Sequence, residues 1–189
     1  MKKITSLFSI IILAMSILFI LSFPAEAIEE KVEKPWEIYG PDKPMTRMMS
    51  NHYSIEANHV ITLGQNCHYP DDVMVTLEIS RATGMSPQRI LDLRKEGKSW
   101  LNVMKIAGYS PAGLFTPVSG PVPQVFRHTY GQYERWRTNP GYSMQLYDKE
   151  IRNLAGLKFM VGRFQANPIP LMERRGQGVT FTRMAMERI

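Results

Sequence analysis

Residues 86–104 read SPQRILDLRKEGKSWLNVM, and residues 167–185 read NPIPLMERRGQGVTFTRMA. Each stretch opens with a small polar residue directly before proline, Ser86-Pro87 and Asn167-Pro168. Such a side chain can accept a backbone N–H of the first helical turn, and proline at the first helical position loses nothing by lacking its own. Ile90, Leu91 and Leu93 then supply an apolar side, and Gly97 stands where a left-handed residue ends a helix. Ser99 restarts the chain as a second cap, with Trp100, Val103, Met104 and Ile106 predicted to point inward and Gly108 to close the element. Sliding the sequence by 81 positions sets Pro87 on Pro168, Arg94 on Arg175, Gly97 on Gly178 and Ser99-Trp100 on Thr180-Phe181. The matches fall at caps, stops and the aromatic after the second cap, where the backbone is most demanding. An internal duplication is therefore the reading adopted, with chance agreement between two ordinary helical hairpins as the alternative.

A further helix precedes each hairpin. Asp71 or Asp72 can cap the first, whose apolar positions Val73, Leu77 and Ala82 are interleaved with Met74, Val75 and Ile79 before Gly84 ends it. Asp148 can cap the second, through Ile151, Leu154, Leu157, Phe159 and Met160. The expected fold is mainly α, with two small trihelical units, residues 71–110 and 148–189. A Pro/Gly-rich linker over residues 111–147 joins them, carrying one short helix from Pro123 to Arg137. Units this small are marginal alone and should lean on each other. Residues 28–70 read as an irregular N-terminal arm, because Pro35, Gly40, Pro41 and Pro44 oppose long regular elements. Within it, Met45 to Asn58 reads as a helical turn or two and His59 to Leu63 as a short strand.

The first 27 residues read as an address. Lys2 and Lys3 precede an apolar run from Ile4 to Phe23, followed by Pro24 and the small-x-small triplet Ala25-Glu26-Ala27. That order is what a secretory signal cleaved after Ala27 requires, with an uncleaved membrane anchor as the alternative. The expected location is the periplasm or cell envelope. Over the whole chain, 23 basic residues against 17 acidic ones leave a formal net charge of +6. The excess is thinly spread and reads as a mildly basic solvated surface. One cysteine, Cys67, excludes an intramolecular disulfide. It can be a buried inert thiol, a free reactive one or a link to another chain.

The hairpin Ile90–Ala107 matches a DNA-binding helix-turn-helix in length and in its glycine-containing turn. Export and an outward face poor in arginine oppose nucleic-acid binding. The pattern LxLRxxGxSW, here Leu91, Leu93, Arg94, Gly97, Ser99 and Trp100, resembles segments of uncharacterised exported bacterial proteins. The resemblance covers about 40 residues of each unit; it implies a helical module in the cell envelope and transfers no activity to any residue.

Two constellations invite a chemical reading. His52, His59, Cys67 and His68 gather three of the four histidines and the only cysteine within a short span. They are candidate ligands for a transition metal or haem, although their spacing fits no standard metal pattern. The second is the helical stripe Phe126, Tyr130, Tyr133 and Trp136, flanked by Arg127 and Arg135. Such a stripe either packs a linker helix into a core or holds a partner. No Ser-His-acid arrangement, phosphate-binding glycine loop, HExxH or dinucleotide fingerprint occurs. The sequence thus points to a non-enzymatic exported binding or scaffolding protein with no cofactor. Its expected partner is another envelope protein, met through exposed methionine and aromatic surface. A metal- or haem-binding periplasmic protein is the alternative. Nucleic acid is not an expected partner, and the membrane is one only through an uncleaved signal segment.

Overall fold

Pro70–Thr83 is apolar on almost every side: Val73, Met74, Val75, Leu77 and Ile79 are all buried, and so are Asp71, Asp72, Thr76 and Glu78. A helix buried all round must sit at the centre of its fold. In a computed structural model that describes residues 34–139 and 141–188, every regular element among the described residues is helical. We label the helices α1 (Pro35–Ile38), α2 (Pro44–Tyr53), α3 (Ala57–Asn66), α4 (Pro70–Thr83), α5 (Pro87–Lys95) and α6 (Trp100–Ile106), followed by α7 (Gln124–Thr138), α8 (Asp148–Phe164), α9 (Pro168–Gly176) and α10 (Phe181–Met186). A 3₁₀ turn, Pro111–Leu114, stands between α6 and α7. The mainly α fold class is as the sequence indicates. The signal segment expected over residues 1–27 lies outside the described residues. Among those described, no helix is long and apolar enough to cross a membrane.

The central pair is α4 against α8, the most extensive helix contact among the described residues. The punctuation expected of the two hairpins is present. Ser86 and Ser99 accept from the N–H groups of Arg89 and Asn102, while Asn167 and Thr180 accept from those of Ile169 and Arg183. Gly97 and Gly178 both hold φ in the left-handed region, 80° and 89°. Trp100 and Phe181 are both buried. The long helices begin one or two residues earlier than Asp71 and Asp148 would place them. Tyr69 and Tyr147 occupy the N-caps, and the third-position acids Asp72 and Glu150 reach back to their N–H groups.

Several expectations are corrected. The stretch read as an irregular arm over residues 28–70 carries α2 and α3 where it is described. Met45, Met49 and Val60 are fully buried in the same core as α4 and α8. Pro35 and Pro44, two of the prolines that argued against structure there, sit at first-turn positions, where they start helices instead of breaking them. The strand expected at His59–Leu63 is part of α3. Val60, Leu63 and Gly64 face the core at helical spacing, and Gly64 lets the Tyr39 ring lie where a Cβ would stand 2.4 Å from the Tyr39 Cβ. Ile106, expected inside, is 50% exposed. The two trihelical segments, expected to lean on each other, lie within one compact unit of the described residues.

Candidate functional site

A groove of about 460 Å³ lies between α6, the loop after it, the last turns of α7 and the extended segment before α8. Gly108, with φ 71°, ends the α6 turn and hands the chain to Tyr109. The Tyr109 hydroxyl lies 3.4 Å from Glu78 Oε1. Lys158 of α8 pairs with the same carboxylate and also donates to the Gly113 carbonyl at 2.7 Å. Gly113 has no side chain because the Tyr109 ring occupies that space, 2.7 Å from where a Cβ would stand. An ion pair between the central helices, its Glu78 end buried and its Lys158 end partly exposed, therefore supports one wall of the groove. Burial beside Glu78 also pushes the Tyr109 phenol above its ordinary value.

The opposite wall comes from α7 and the segment after it. Trp136 stacks on Tyr133 at 5.7 Å, and Tyr133 on Phe115 at 4.3 Å, so the indole is held at the end of an aromatic pile. Gln132, buried on α7, accepts from the Tyr142 hydroxyl at 2.8 Å and from the Gln145 N–H at 3.0 Å. Met144 and Leu146 point inward between them. Leu101, Lys105, Tyr109, Trp136, Tyr142 and Gln145 line the groove, and no carboxylate does. The Lys105 ammonium has no hydrogen-bond or ion-pair partner among the described residues. An aromatic floor, amide groups and one free cation suit a neutral or acidic ligand with an apolar body.

The aromatic stripe read from the sequence divides in two. Phe126 and Tyr130 are buried, Phe126 packing on Phe181 at 6.4 Å and Tyr130 donating to the Thr116 carbonyl at 2.7 Å. This corrects their assignment to a partner surface: one turn apart on the inner face of α7, they belong to the core. Tyr133 and Trp136 are half-buried, and Arg127 and Arg135 are exposed. The methionines do not form an adaptable surface. Met45, Met48, Met49, Met74, Met104, Met144, Met160, Met172 and Met184 are all buried.

The four metal candidates are dispersed. His52 packs edge-on against Tyr53 and Phe159, at 4.7 and 5.0 Å, and burial lowers its pKa. His59 is exposed on α3. Cys67 is buried and its thiol is pushed well above the ordinary value by desolvation. His68 stands edge-on to Tyr69 at 4.6 Å. Cys67 and His68 share a smaller cavity of about 210 Å³ with Asp72, Arg94 and Trp100. Among the described residues, no group of three or more His, Cys, Asp or Glu is close enough to hold a metal ion.

Sequence reasoning missed Lys105, Tyr109, Gln132, Tyr142 and Gln145 as one site. Lys105 and Gln132 lie in expected helices and Tyr142 and Gln145 in the expected linker, so no local signal grouped them. They come from separate parts of the chain, which no spacing within one segment encodes. The described residues define an all-helical domain with an aromatic, acid-free surface groove. The chain matches no known protein family, no curated protein and no solved structure.

Proposed function

We propose that this protein is an exported, non-enzymatic binding protein of the periplasm or cell envelope, and that it engages another protein through the groove beside Trp136. The observation that carries the reading is the half-exposed Trp136 indole, held by Tyr133 and Phe115 on the wall of a cavity of about 460 Å³. Large aromatics fixed at the edge of a pocket are the residues that most often anchor an interface. Lys105 and the absence of acids in the lining fit a segment that brings an apolar residue together with negative charge. Export rests on the order of charge, apolar run and Ala-x-Ala in residues 1–27.

The shared caps, stops and buried aromatics of the two hairpins support reading them as copies of one unit, which would make the groove a feature of the first copy and the linker after it. Fractionation of cells producing the full chain tests the location. Affinity capture from envelope extracts tests the binding. A reproducible partner should be retained by the wild-type chain and by His59→Ala, and lost with Trp136→Ala or Lys105→Glu. A partner held equally by all four removes the groove from the account.

A further inference from the structure

The groove wall formed by Tyr142 and Gln145 is tied to α7 by one side chain, Gln132, and the hydrogen-bond partners of that side chain fix its orientation. A backbone N–H can only donate, and the Gln145 N–H points to Gln132 Oε1 at 3.0 Å, where the Tyr142 hydroxyl also arrives at 2.8 Å. The Gln132 amide nitrogen is thereby turned the other way, onto His128 Nε2 at 3.2 Å. An amide nitrogen is a donor, so His128 Nε2 must be the acceptor and its ring proton must sit on Nδ1. That atom lies 2.6 Å from Glu150 Oε1. Glu150 is itself held, by the Thr129 hydroxyl at 2.9 Å and by the Tyr147 N–H at 2.9 Å. The row from Glu150 to Gln145 is complete only with a neutral imidazole.

We propose that His128 is a proton-operated latch on the groove: its protonation releases the Tyr142–Gln145 wall from α7. A second ring proton places an N–H against the Gln132 NH₂, two donors face to face. The ring does not turn away, because the charged imidazolium binds Glu150 more strongly than the neutral ring does. Gln132 is the member that yields. Rotating its amide presents oxygen to His128 but takes the acceptor from the Gln145 N–H. The titratable groups facing His128 are Glu150 of α8 and Tyr147 just before it, whose ring centroid is 6.1 Å away. Thr129 and Gln132 on its own helix are neutral. The imidazole is 52% exposed, so the proton has open access. Met144 and Leu146 stay anchored in the core, which confines the change to the groove side of the segment. The latch rests on the proposed groove for its purpose but not for its operation.

The test is amide hydrogen exchange at Gln145 in the purified protein, corrected for intrinsic exchange, at about pH 7.5 and about pH 5, the interval over which histidines change charge. In the wild type, protection at Gln145 should fall about tenfold on acidification, as for loss of one ordinary hydrogen bond, while α4 and α8 keep theirs. His128→Gln should abolish the response. Gln132→Glu should reverse it, because a carboxylate accepts from a protonated His128 and from Gln145 together. Protection that is indifferent to pH in the wild type, or that falls equally in His128→Gln, overturns the proposal. The experiment uses no partner, so the latch can hold where Trp136-dependent capture fails, and the reverse.

Discussion

The Trp100 indole Nε1 donates to Asp72 Oδ1 at 2.9 Å, while the backbone N–H of the same residue donates to Asp148 Oδ1 at 2.7 Å. One residue of α6 thus joins the first turns of both central helices. Arg94 closes the arrangement, stacked over the Trp100 ring at 4.5 Å and paired with Asp148 at 2.7 Å. Asp72 also receives the Tyr69 N–H at 3.1 Å, and Arg152 of α8 lies 3.4 Å from it. A buried carboxylate persists only when donors surround it. Trp100→Phe keeps most of the ring volume and removes one of those donors. It should lower the unfolding free energy by about 1–3 kcal/mol in chemical denaturation. A Phe variant as stable as the wild type would show that the bond holds nothing.

Helix α10 crosses α8 at a point where only glycine fits. A Cβ on Gly156 would stand 2.5 Å from the Phe181 ring and 2.8 Å from its Cβ. Phe181 is fully buried between Phe126 and the core, so it has nowhere to move. Gly156→Ala should destabilise by roughly 1–3 kcal/mol despite the better helix propensity of alanine. Combining it with Phe181→Leu should recover part of the loss, and thermal melts of the two variants would show whether it does.

The hairpins were legible because their signals are local. Ser86, Ser99, Asn167 and Thr180 act within their own first turns, and Gly97 and Gly178 answer a backbone angle. The all-helical class follows from those signals together with the periodicity of α8. What escaped was tertiary. Pro35 and Pro44 look alike in a broken arm and in a helical first turn, and only Tyr39 lying on Gly64 and donating to the Pro70 carbonyl distinguishes the two. The Val-Ile-Thr run at residues 60–62 has strand propensity, overridden because α3 packs on α2 and α4. Half of the aromatic stripe was legible as core. That Trp136 would border a groove depends on Tyr109 and Tyr142, brought there by separate parts of the chain.

Two titratable groups, the partly buried His52 and the buried Asp71, give stability a defined dependence on pH. Burial lowers the pKa of His52, with Arg81 adding to the effect, so the folded protein binds its proton later than the unfolded chain as pH falls. Stability should be unaffected above the ordinary value of 6.5 and decline below it. Asp71 behaves oppositely. Burial raises its pKa against the pull of the Thr182 hydroxyl, 2.5 Å away, and of Arg175. Its contribution is complete below the ordinary 3.8 and is lost as pH rises through the folded value. Melting curves across acidic pH should show a shallower low-pH decline in His52→Phe. The stability of the wild type relative to Asp71→Asn should fall as pH rises from 3.8. Parallel curves for wild type and variants would contradict both assignments.

The pair Lys158–Glu78 connects stability to the groove. Glu78 is buried, and it takes Lys158, Arg81 and the Tyr109 hydroxyl together. Lys158→Met leaves the carboxylate with Arg81 at 2.6 Å but frees the Gly113 carbonyl and the support of Tyr109. The single variant should cost about 1–3 kcal/mol, and so should Glu78→Gln. The double variant should cost less than the two losses added, since each single change already removes the shared interaction. Lys158 is absent from the groove lining, so a purely structural role predicts unchanged binding once the variant is folded. If the ion pair sets the Tyr109 wall, Lys158→Met should weaken Trp136-dependent capture at a temperature where circular dichroism shows the native fold. Capture at full strength would separate the ion pair from the site.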